Sequence, residues 1–489
     1  MKQLIGFIVV FLAVFTMFPV TIYTEKIDPV TLDVLPEPED VLYNRAPDPL
    51  PWIPPEMQTA DYWISTMEKP DEVILTPQQI QRMNESYRRR ISSPDPFKDV
   101  PAERKPNLIH WWPGFSLTVP DLSSMSARAV ADTVKDRINA QIAYLCKQKY
   151  GNALAITYGE NEINALEHEM ALDCVGNAVT VRHGITVRTS RLRNNPSFFP
   201  MQIGLTQSRK TRWDLWNIGV VKIAKPVQVL HLSKSGEYMF VLCEVGYGWV
   251  RSENVAFASK QEIETFTNNP DFVVCTGDRV QFYTDESCTC ASNWFGMGAR
   301  LPLASKNNPR VVNVPVRKIN GNLAVETAWL ASDGNTHAGW LPYTRRNIIV
   351  TAFKLLGNTY DWSGAWFGRQ HETTYRDIFA CFGFDLPCHG TLFTFFNDNN
   401  TTVLHPDMGE SVYYKKILEN KPFVTIQSCG GHCQLFIGKH NGKPVVFDQH
   451  GYGYPDEDNV WFEVRRCNIG DLRLPRYFLK RDVTFLELR

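Results

Sequence analysis

The stretch Tyr360–Cys388 reads YDWSGAWFGRQHETTYRDIFACFGFDLPC, and it decides how the C-terminal part of the chain folds. Its second half contains four large apolar residues at the i, i+3, i+4, i+7 spacing of a buried helix face: Tyr375, Ile378, Phe379 and Phe382. Gly383 follows where such a helix ends, because glycine readily adopts the left-handed conformation of a helix C-terminus. The stretch therefore predicts a buried helix that begins near His371.

Strands follow this helix. Three apolar runs predict them: Phe423–Ser428, Gln434–His440 and Pro444–Gln449. Asn441-Gly442 joins the last two runs, and this dipeptide is typical of a tight hairpin. Ahead of the stretch, Ile348–Leu356 reads as an apolar helix. Helices followed by strands in one segment predict an α+β domain over residues 346–489.

The part between about residues 180 and 345 has a different pattern. Short alternating apolar runs such as Val227–Leu232 and Tyr238–Cys243 are separated by turn residues, as in small β-barrels. The pattern occurs twice, and a Gly-Trp pair comes late in each block, at Trp249 and Trp340. We predict two SH3-like barrels, at 191–258 and 259–345, with both tryptophans in barrel cores or rims.

The N-terminal part divides into three segments. Lys2 precedes an apolar run from Leu4 to Tyr23, which predicts a signal peptide or an N-terminal membrane anchor over 1–24 and an exported protein. Residues 25–58 are rich in proline and acidic residues and predict a linker. Residues 59–190 predict a helical and extended segment. Thr76-Pro77 begins one helix there, and Ser126–Lys149 forms another.

Composition excludes several function classes. The 489 residues are 44% hydrophobic and 21% charged, with a net charge of −1 and no basic tract, so no nucleic-acid partner is expected. The sequence has no zinc-finger spacing and no glycine loop that would hold a phosphate, and we expect no cofactor. Eleven cysteines are too few for a disulfide scaffold in a chain of this length.

The predicted helix and strands bring together residues of a Cys/His hydrolase site. Such a site has its nucleophile at a helix N-terminus, where the dipole lowers the thiol pKa, and it needs a histidine base and an orienting group. Here the helix begins at His371, one strand begins near His432, and the next strand carries Asp448 with His450 after it. All three roles have a position, but imidazole fills the first.

These motifs resemble the NlpC/P60 cell-wall peptidases that have two bacterial SH3 (SH3b) domains ahead of a papain-like domain. The family pattern runs Tyr-x-Trp-Gly-Gly, Asp-Cys-Ser, Arg-Asp-x-Phe, Phe-Gly, Leu-Pro and Gly-His. The matching segments in this chain occur in the same order: Tyr360–Gly364, Gln370–Glu372, Arg376–Phe379, Phe382-Gly383, Leu386-Pro387 and Gly431-His432. The resemblance covers roughly residues 58–480.

The resemblance implies a papain-like fold in the bacterial envelope that cleaves peptidoglycan stem peptides between γ-D-glutamate and a diamino acid. By position, His371 occupies the nucleophile site, His432 the base site and Asp448 the orienting site. Three further residues would contact substrate: Tyr360, Gln370 and Glu372. The family's Asp-Cys-Ser is replaced by Gln-His-Glu. This predicts a stem-peptide-directed protein that has lost thiol peptidase activity.

Other interpretations stay open at this stage. An active hydrolase could use a metal ion, since neutral imidazole is a metal ligand, and the candidate ligands are His371, His432 and His450. It could also use a displaced cysteine, for which the candidates are Cys381, Cys388 and Cys433. A third interpretation is an adaptor whose barrels bind protein partners.

Two local predictions bear on the site. Asp448 can orient His432 only from the same sheet face, and a two-residue turn at Asn441-Gly442 would place the two side chains on opposite faces. We therefore predict a three-residue loop with a bulge. Bland roles are expected for other polar residues: a surface ion pair for Arg376-Asp377 and solvated loop positions for His389 and His440.

Overall fold

A computed structural model describes residues 44–45, 50, 52–92, 113–114, 116, 119–146, 158–200, 214–396, 401–404, 409–429, 432–451, 453–455, 461–471 and 483–489. The predicted signal peptide or anchor at 1–24 and most of the linker at 25–58 lie outside these residues. Among the helices in these ranges, none is both long and apolar enough to cross a membrane.

Helices alternate with the barrels along the chain. The described helices are α1 (Ala60–Ser65), α2 (Pro77–Ile91), α3 (Ala127–Cys146), α4 (Glu160–Glu169), α5 (Lys260–Thr267), α6 (Arg345–Phe353), α7 (His371–Ala380) and α8 (Glu410–Leu418). The predicted start of α2 is confirmed, because the Thr76 hydroxyl accepts the backbone N–H of Gln79, whose side-chain oxygen accepts the Thr76 N–H in return.

The strands in the described residues form five sheets. They are β1 (Asn44–Arg45), β2 (Arg182–Thr186), β3 (Ser190–Arg193), β4 (Asn217–Val221), β5 (Pro226–Leu232), β6 (Tyr238–Cys243), β7 (Gly246–Arg251), β8 (Val255–Phe257), β9 (Phe272–Cys275), β10 (Arg279–Tyr283), β11 (Ala291–Gly296), β12 (Arg300–Pro302), β13 (Val311–Arg317), β14 (Leu323–Leu330), β15 (Thr336–Ala338), β16 (Thr401–Leu404), β17 (Thr425–Cys429), β18 (His432–His440), β19 (Lys443–Gln449), β20 (Gly453–Pro455), β21 (Trp461–Glu463), β22 (Cys467–Asp471) and β23 (Val483–Glu487).

Barrel 1 is the seven-stranded sheet in the order β4-β3-β7-β6-β5-β2-β8. Its first strand begins at Arg182, ahead of the boundary predicted at residue 191, because β2 pairs with both β5 and β8. Trp249 is fully buried in this barrel, as predicted, and its indole N–H donates to Gln141 on α3 at 3.0 Å. This contact joins the helical segment to the barrel.

Barrel 2 contains the four-stranded sheet β11-β10-β14-β13 and the three-stranded sheet β12-β9-β15. Its apolar core includes Val273, Phe282 and Phe295. Trp340 lies at the rim, where its ring packs edge-to-face on Phe272 at 4.7 Å between centroids. This position agrees with the prediction of a barrel core or rim.

The C-terminal domain is a six-stranded antiparallel sheet, ordered β16-β23-β17-β18-β19-β22, with α7 packed against it. Tyr375 of α7 is fully buried, and its hydroxyl donates to the Phe447 carbonyl on β19 at 2.9 Å. Trp63 of α1 and Ile80 of α2 belong to the same core. The predicted α+β domain behind two small barrels is confirmed.

The prediction of a three-residue loop between β18 and β19 is wrong, although His432 and Asp448 do lie on the same sheet face. The turn has two residues, Asn441 and Gly442, with positive φ of 49° and 76°. A bulge at Ile437 shifts the register further along the hairpin, so that Leu435 pairs with Phe447. The bulge thus supplies the change of parity that we assigned to the loop.

The predicted surface position of Arg376 and Asp377 is also wrong. Both residues are buried, at 9% and 4% exposure, where α7 faces the barrels. Asp377 forms ion pairs with Lys222 of barrel 1 and, at 2.9 Å, with Arg369. Arg369 in turn pairs with Asp278 of barrel 2. A buried charge network therefore connects all three domains.

Candidate functional site

The site is built around the N-terminus of α7. Gln370 is the N-cap residue, and its backbone N–H donates to the Thr373 hydroxyl at 3.0 Å. The Gln370 side-chain oxygen accepts the backbone N–H of Ser363 at 3.0 Å. This residue therefore attaches the helix to the loop before it, while its predicted contact with substrate stays a prediction.

His371 is the first residue of α7, and it forms a close pair with its neighbour. Its Nδ1 lies 2.5 Å from Glu372 Oε2, and the two side chains are buried. Burial opposes ionisation of the Glu372 carboxyl, but the adjacent His371 charge and hydrogen bond outweigh it and lower the pKa of Glu372. The glutamate is thus a carboxylate held against an imidazole.

His432 forms a second pair of the same kind with Asp448. Its Nε2 lies 3.0 Å from one Asp448 carboxylate oxygen and 3.3 Å from the other. Gln434 follows on the same strand face and donates to Asp448 at 2.7 Å, and Gln427 donates to Gln434 at 2.5 Å. The predicted proximity of His432 and Asp448 is confirmed.

The two pairs face each other. The rings of His371 and His432 meet edge-to-face with centroids 4.8 Å apart. The His450 ring lies 5.2 Å from the His432 ring between centroids, and burial lowers the pKa of His450 to about 3, so this imidazole is neutral. The rings of Tyr360 and His371 lie 6.2 Å apart between centroids. The structure therefore brings the predicted residues of the site together.

Residues that the sequence analysis missed complete the pocket. His389 is half-buried near Glu372 and not solvated as predicted, and burial lowers its pKa. A Cβ on the next residue, Gly390, would lie 2.7 Å from Glu372 and 2.4 Å from the Cys433 sulfur, so only glycine fits. No sequence signal marks these positions. Gln434 could have been found, since it lies two residues after His432.

The cysteine candidates are poor nucleophiles. Burial raises the pKa of Cys381 to about 12, and it also raises the pKa of Cys388 although Arg376 lies 2.7 Å from that sulfur. Cys433 is fully buried, and its thiol donates to the Ser428 hydroxyl at 3.4 Å. The first two thiols are held in the unreactive protonated form.

The alternative metal set His371, His432 and His450 is not supported by the geometry. In the ranges that the structure describes, no three His, Cys, Asp or Glu side chains are arranged to hold a metal ion. His371 and His432 instead place Nδ1 and Nε2, respectively, against carboxylates. Their geometry suits proton transfer better than shared coordination.

Barrel 1 holds the loop that leads into the site. Asn217 of β4 donates its side-chain N–H to the Ser363 carbonyl at 2.7 Å. Gly364 has a positive φ of 70°, and a Cβ there would lie 2.4 Å from a Val220 methyl group. One Asp361 oxygen accepts the backbone N–H groups of residues 366 and 368, at 2.7 and 2.8 Å. The position of His371 thus depends on barrel 1.

Comparison with known proteins agrees with this architecture. The family model for the SH3 domain of SH3b1 type matches residues 206–251, and the described part of this range, from residue 214, belongs to barrel 1. An NlpC/P60 endopeptidase from Photobacterium damselae subsp. piscicida is similar in structure, with a TM-score of 0.68 and 16% identity over 91% of this chain and 99% of that one. The chain has the fold of an NlpC/P60 endopeptidase with an SH3b domain.

Two further comparisons add detail. An NlpC/P60 family protein from Bacillus cereus ATCC 10987 is 16% identical over 62% of this chain and 98% of that one, with a TM-score of 0.40. No curated protein sequence matches the chain. In the fold seen here, His371 lies on α7, His432 on β18 and Asp448 on β19.

Proposed function

We propose that this protein recognises peptidoglycan stem peptides in the bacterial envelope and lacks the thiol peptidase activity expected of its fold. The observation that supports this proposal is His371 at the first residue of α7, packed against His432. An imidazole at that position cannot form a thioester. The contact between His432 and Asp448 is present, and the proposal therefore assigns the loss to the turn that carries His371.

Export belongs to the same proposal. The apolar run at the start of the chain would act as a signal peptide or as a membrane anchor, and either one would place the folded domains at the cell wall. The SH3b match in barrel 1 fits a wall-directed protein. Residues Tyr360, Gln370 and Glu372 would line the peptide site.

The test is incubation with L-Ala-γ-D-Glu-diaminopimelate, followed by mass spectrometry for cleavage and calorimetry for binding. We expect binding without cleavage, and we expect Tyr360→Ala to weaken binding about tenfold, as for loss of one buried aromatic contact. Cleavage that thiol alkylation stops would contradict the proposal. Absence of binding to both the peptide and purified cell walls would contradict it as well.

A second candidate function rests on the facing pairs His371–Glu372 and His432–Asp448. One imidazole could take a proton from water as the water attacks an amide carbonyl, while the other, protonated, gives a proton to the leaving amine. No covalent intermediate would form. Cleavage that resists chelators and alkylation, and that either His371→Ala or His432→Ala abolishes, would establish this route in place of simple binding.

A further inference from the structure

A second cleft, of about 600 Å³, lies where the two barrels meet the loop that leads to α7. Barrel 1 supplies four arginines to its lining: Arg188, Arg191, Arg193 and Arg251. Barrel 2 contributes Trp294, and the C-terminal domain contributes Trp366 and Phe367. The described lining includes none of the residues of the His371–His432 site, so an inference about this cleft is independent of the proposed function.

The cleft has an excess of positive charge. Arg193 is neutralised by buried Asp214 at 2.5 Å, and Arg251 pairs with Glu253 at 3.1 Å. Neither Arg188 nor Arg191 forms an ion pair with any part of the chain that the structure describes. Two guanidinium groups are therefore left to attract an anion.

Partial burial makes the positive charge of Arg191 energetically unfavourable. Arg191 is half-buried, and its donors reach only the carbonyls of Ala365 and Phe198, at 3.4 Å each. Burial lowers the pKa of Arg191, and the nearby charge of Arg193 adds to the effect, although arginine stays protonated at neutral pH. A bound anion would offset the repulsion between Arg191 and Arg193, and it would accept shorter hydrogen bonds from Arg191 than the two carbonyls do.

Aromatic rings stand beside these charges. Phe198 and Trp366 are each 55% exposed, which is high for large apolar side chains at a domain junction. The Arg191 guanidinium lies 4.4 Å from the centre of the Phe198 ring, and Trp294 packs edge-to-face on Phe367 at 5.9 Å. These rings provide apolar walls next to the unpaired guanidinium groups.

We propose that this cleft binds a small ligand that carries a carboxylate or a phosphate next to an apolar or ring portion. The planar guanidinium fork of arginine binds either oxyanion in a bidentate way, and the exposed rings cover the rest of the ligand. The volume of the cleft falls within the range of small-molecule sites, which are often found at domain junctions.

The test is calorimetric titration of the full chain with phenylacetate, phenyl phosphate and the neutral phenylacetamide. We expect saturable binding of at least one anion and at least about tenfold weaker binding of the amide, the change for one charge-assisted hydrogen bond. The anion that binds with the higher affinity shows whether the cleft prefers a carboxylate or a phosphate. Equal binding of the amide, or no binding of either anion up to about 10 mM, would overturn the proposal.

Variants locate the binding. Arg188→Gln should weaken the anion about tenfold while Arg188→Lys weakens it less, because lysine keeps the charge and loses the fork. Arg82→Gln, on the exposed side of α2, is the matched control and should leave affinity unchanged. Trp366→Ala should weaken phenylacetate and leave the circular dichroism spectrum intact. Anion affinity that is the same in Arg188→Gln and Arg82→Gln would refute the cleft as the site.

Discussion

At the scale of single residues, the side chains at the start of α7 have partners within the folded protein. Glu372 follows His371, and its carboxylate lies 2.5 Å from the His371 Nδ1. Gln370 is similarly engaged with Ser363. Because each of these three residues has a contact in the folded protein, we expect substitutions among them to affect one another.

Placing the family's Asp-Cys-Ser at this turn tests whether the rest of the site can activate a thiol. In the variant Gln370→Asp, His371→Cys, Glu372→Ser, the new thiol lies at a helix N-terminus near His432, and both features lower a thiol pKa. We expect alkylation at position 371 at neutral pH to be about tenfold faster than at an ordinary thiol, for a pKa lowered by one unit. Peptide mapping by mass spectrometry after timed alkylation measures this rate.

The control for this prediction is the same variant with His432→Ala, which should return the alkylation rate to that of an ordinary thiol. Equal alkylation rates with and without His432 would show that His432 does not lower the pKa of the thiol at position 371. Gain of stem-peptide cleavage is a separate readout of the same variant.

His450 makes stability depend on pH. Its folded pKa of about 3 lies below the unfolded value of about 6.5, so the unfolded chain binds a proton that the folded chain refuses. Stability is therefore lost as the pH falls from about 6.5 towards 3. Between about pH 7 and pH 4.5, the free energy of unfolding should therefore fall by about 2 kcal/mol less in His450→Gln than in the parent protein, measured by urea unfolding.

The comparison for this residue is His168→Gln on α4, an exposed position that should leave the pH dependence of unfolding as it is in the parent protein. If His450→Gln lost as much stability as the parent over the same pH interval, the buried neutral imidazole would not be the cause.

The proximity of His371, His432 and Asp448 could be predicted because each one lies at a recognisable place on a helix or strand. Asp448 lies on a predicted strand and His432 two residues before another, and only one face of each strand can point at a helix N-terminus. His389 could not be predicted, since it follows no periodic element and its burial near Glu372 depends on how the loop after α7 folds. Local patterns do not contain that information.

At the scale of elements, the β18–β19 hairpin shows how a short turn and a bulge share one task. The Asn441-Gly442 dipeptide was recognisable as a turn, but the bulge at Ile437 has no sequence signal beyond the glycine after it. Gly438 has a φ of 150°, and a Cβ there would lie 2.8 Å from the Trp63 ring. The register of the site thus depends on a contact from α1, far away in the sequence.

Gly438→Ala should therefore destabilise the protein by about 1 to 3 kcal/mol, through backbone strain and the clash with Trp63. Urea unfolding of the variant measures the change in free energy of unfolding. Gly176→Ala is the control, because the nearest atom to its added Cβ is 3.8 Å away. In a Trp63→Ala background the penalty should fall, and a penalty of unchanged size would rule out the clash as its cause.

At the scale of the whole molecule, the barrels are part of the framework that positions the site. Arg376 and Asp377 look like a solvated pair in the sequence, because the sequence shows the helix periodicity and not the domains that cover it. Lys222 donates to Asp377 and, at 2.6 Å, to the Met297 carbonyl, so one ammonium group bridges three domains. The order of domains could be predicted, whereas their contacts could not.

Asp377→Asn should show that this network holds the domains together. Burial opposes ionisation of Asp377, but Lys222 and Arg369 outweigh it and lower its pKa, so the carboxylate stabilises the fold above its unfolded pKa and this stability is lost as the pH falls. At neutral pH the variant leaves two cations poorly paired, and we expect a loss of about 3 kcal/mol in urea unfolding. Asp71→Asn breaks the exposed pair with Arg346 and should leave unfolding unchanged.

Because α7 would also lose its anchor to barrel 1, stem-peptide binding should weaken in Asp377→Asn and not in Asp71→Asn. Loss of stability without loss of binding would mean that the barrels support the fold but do not position the site.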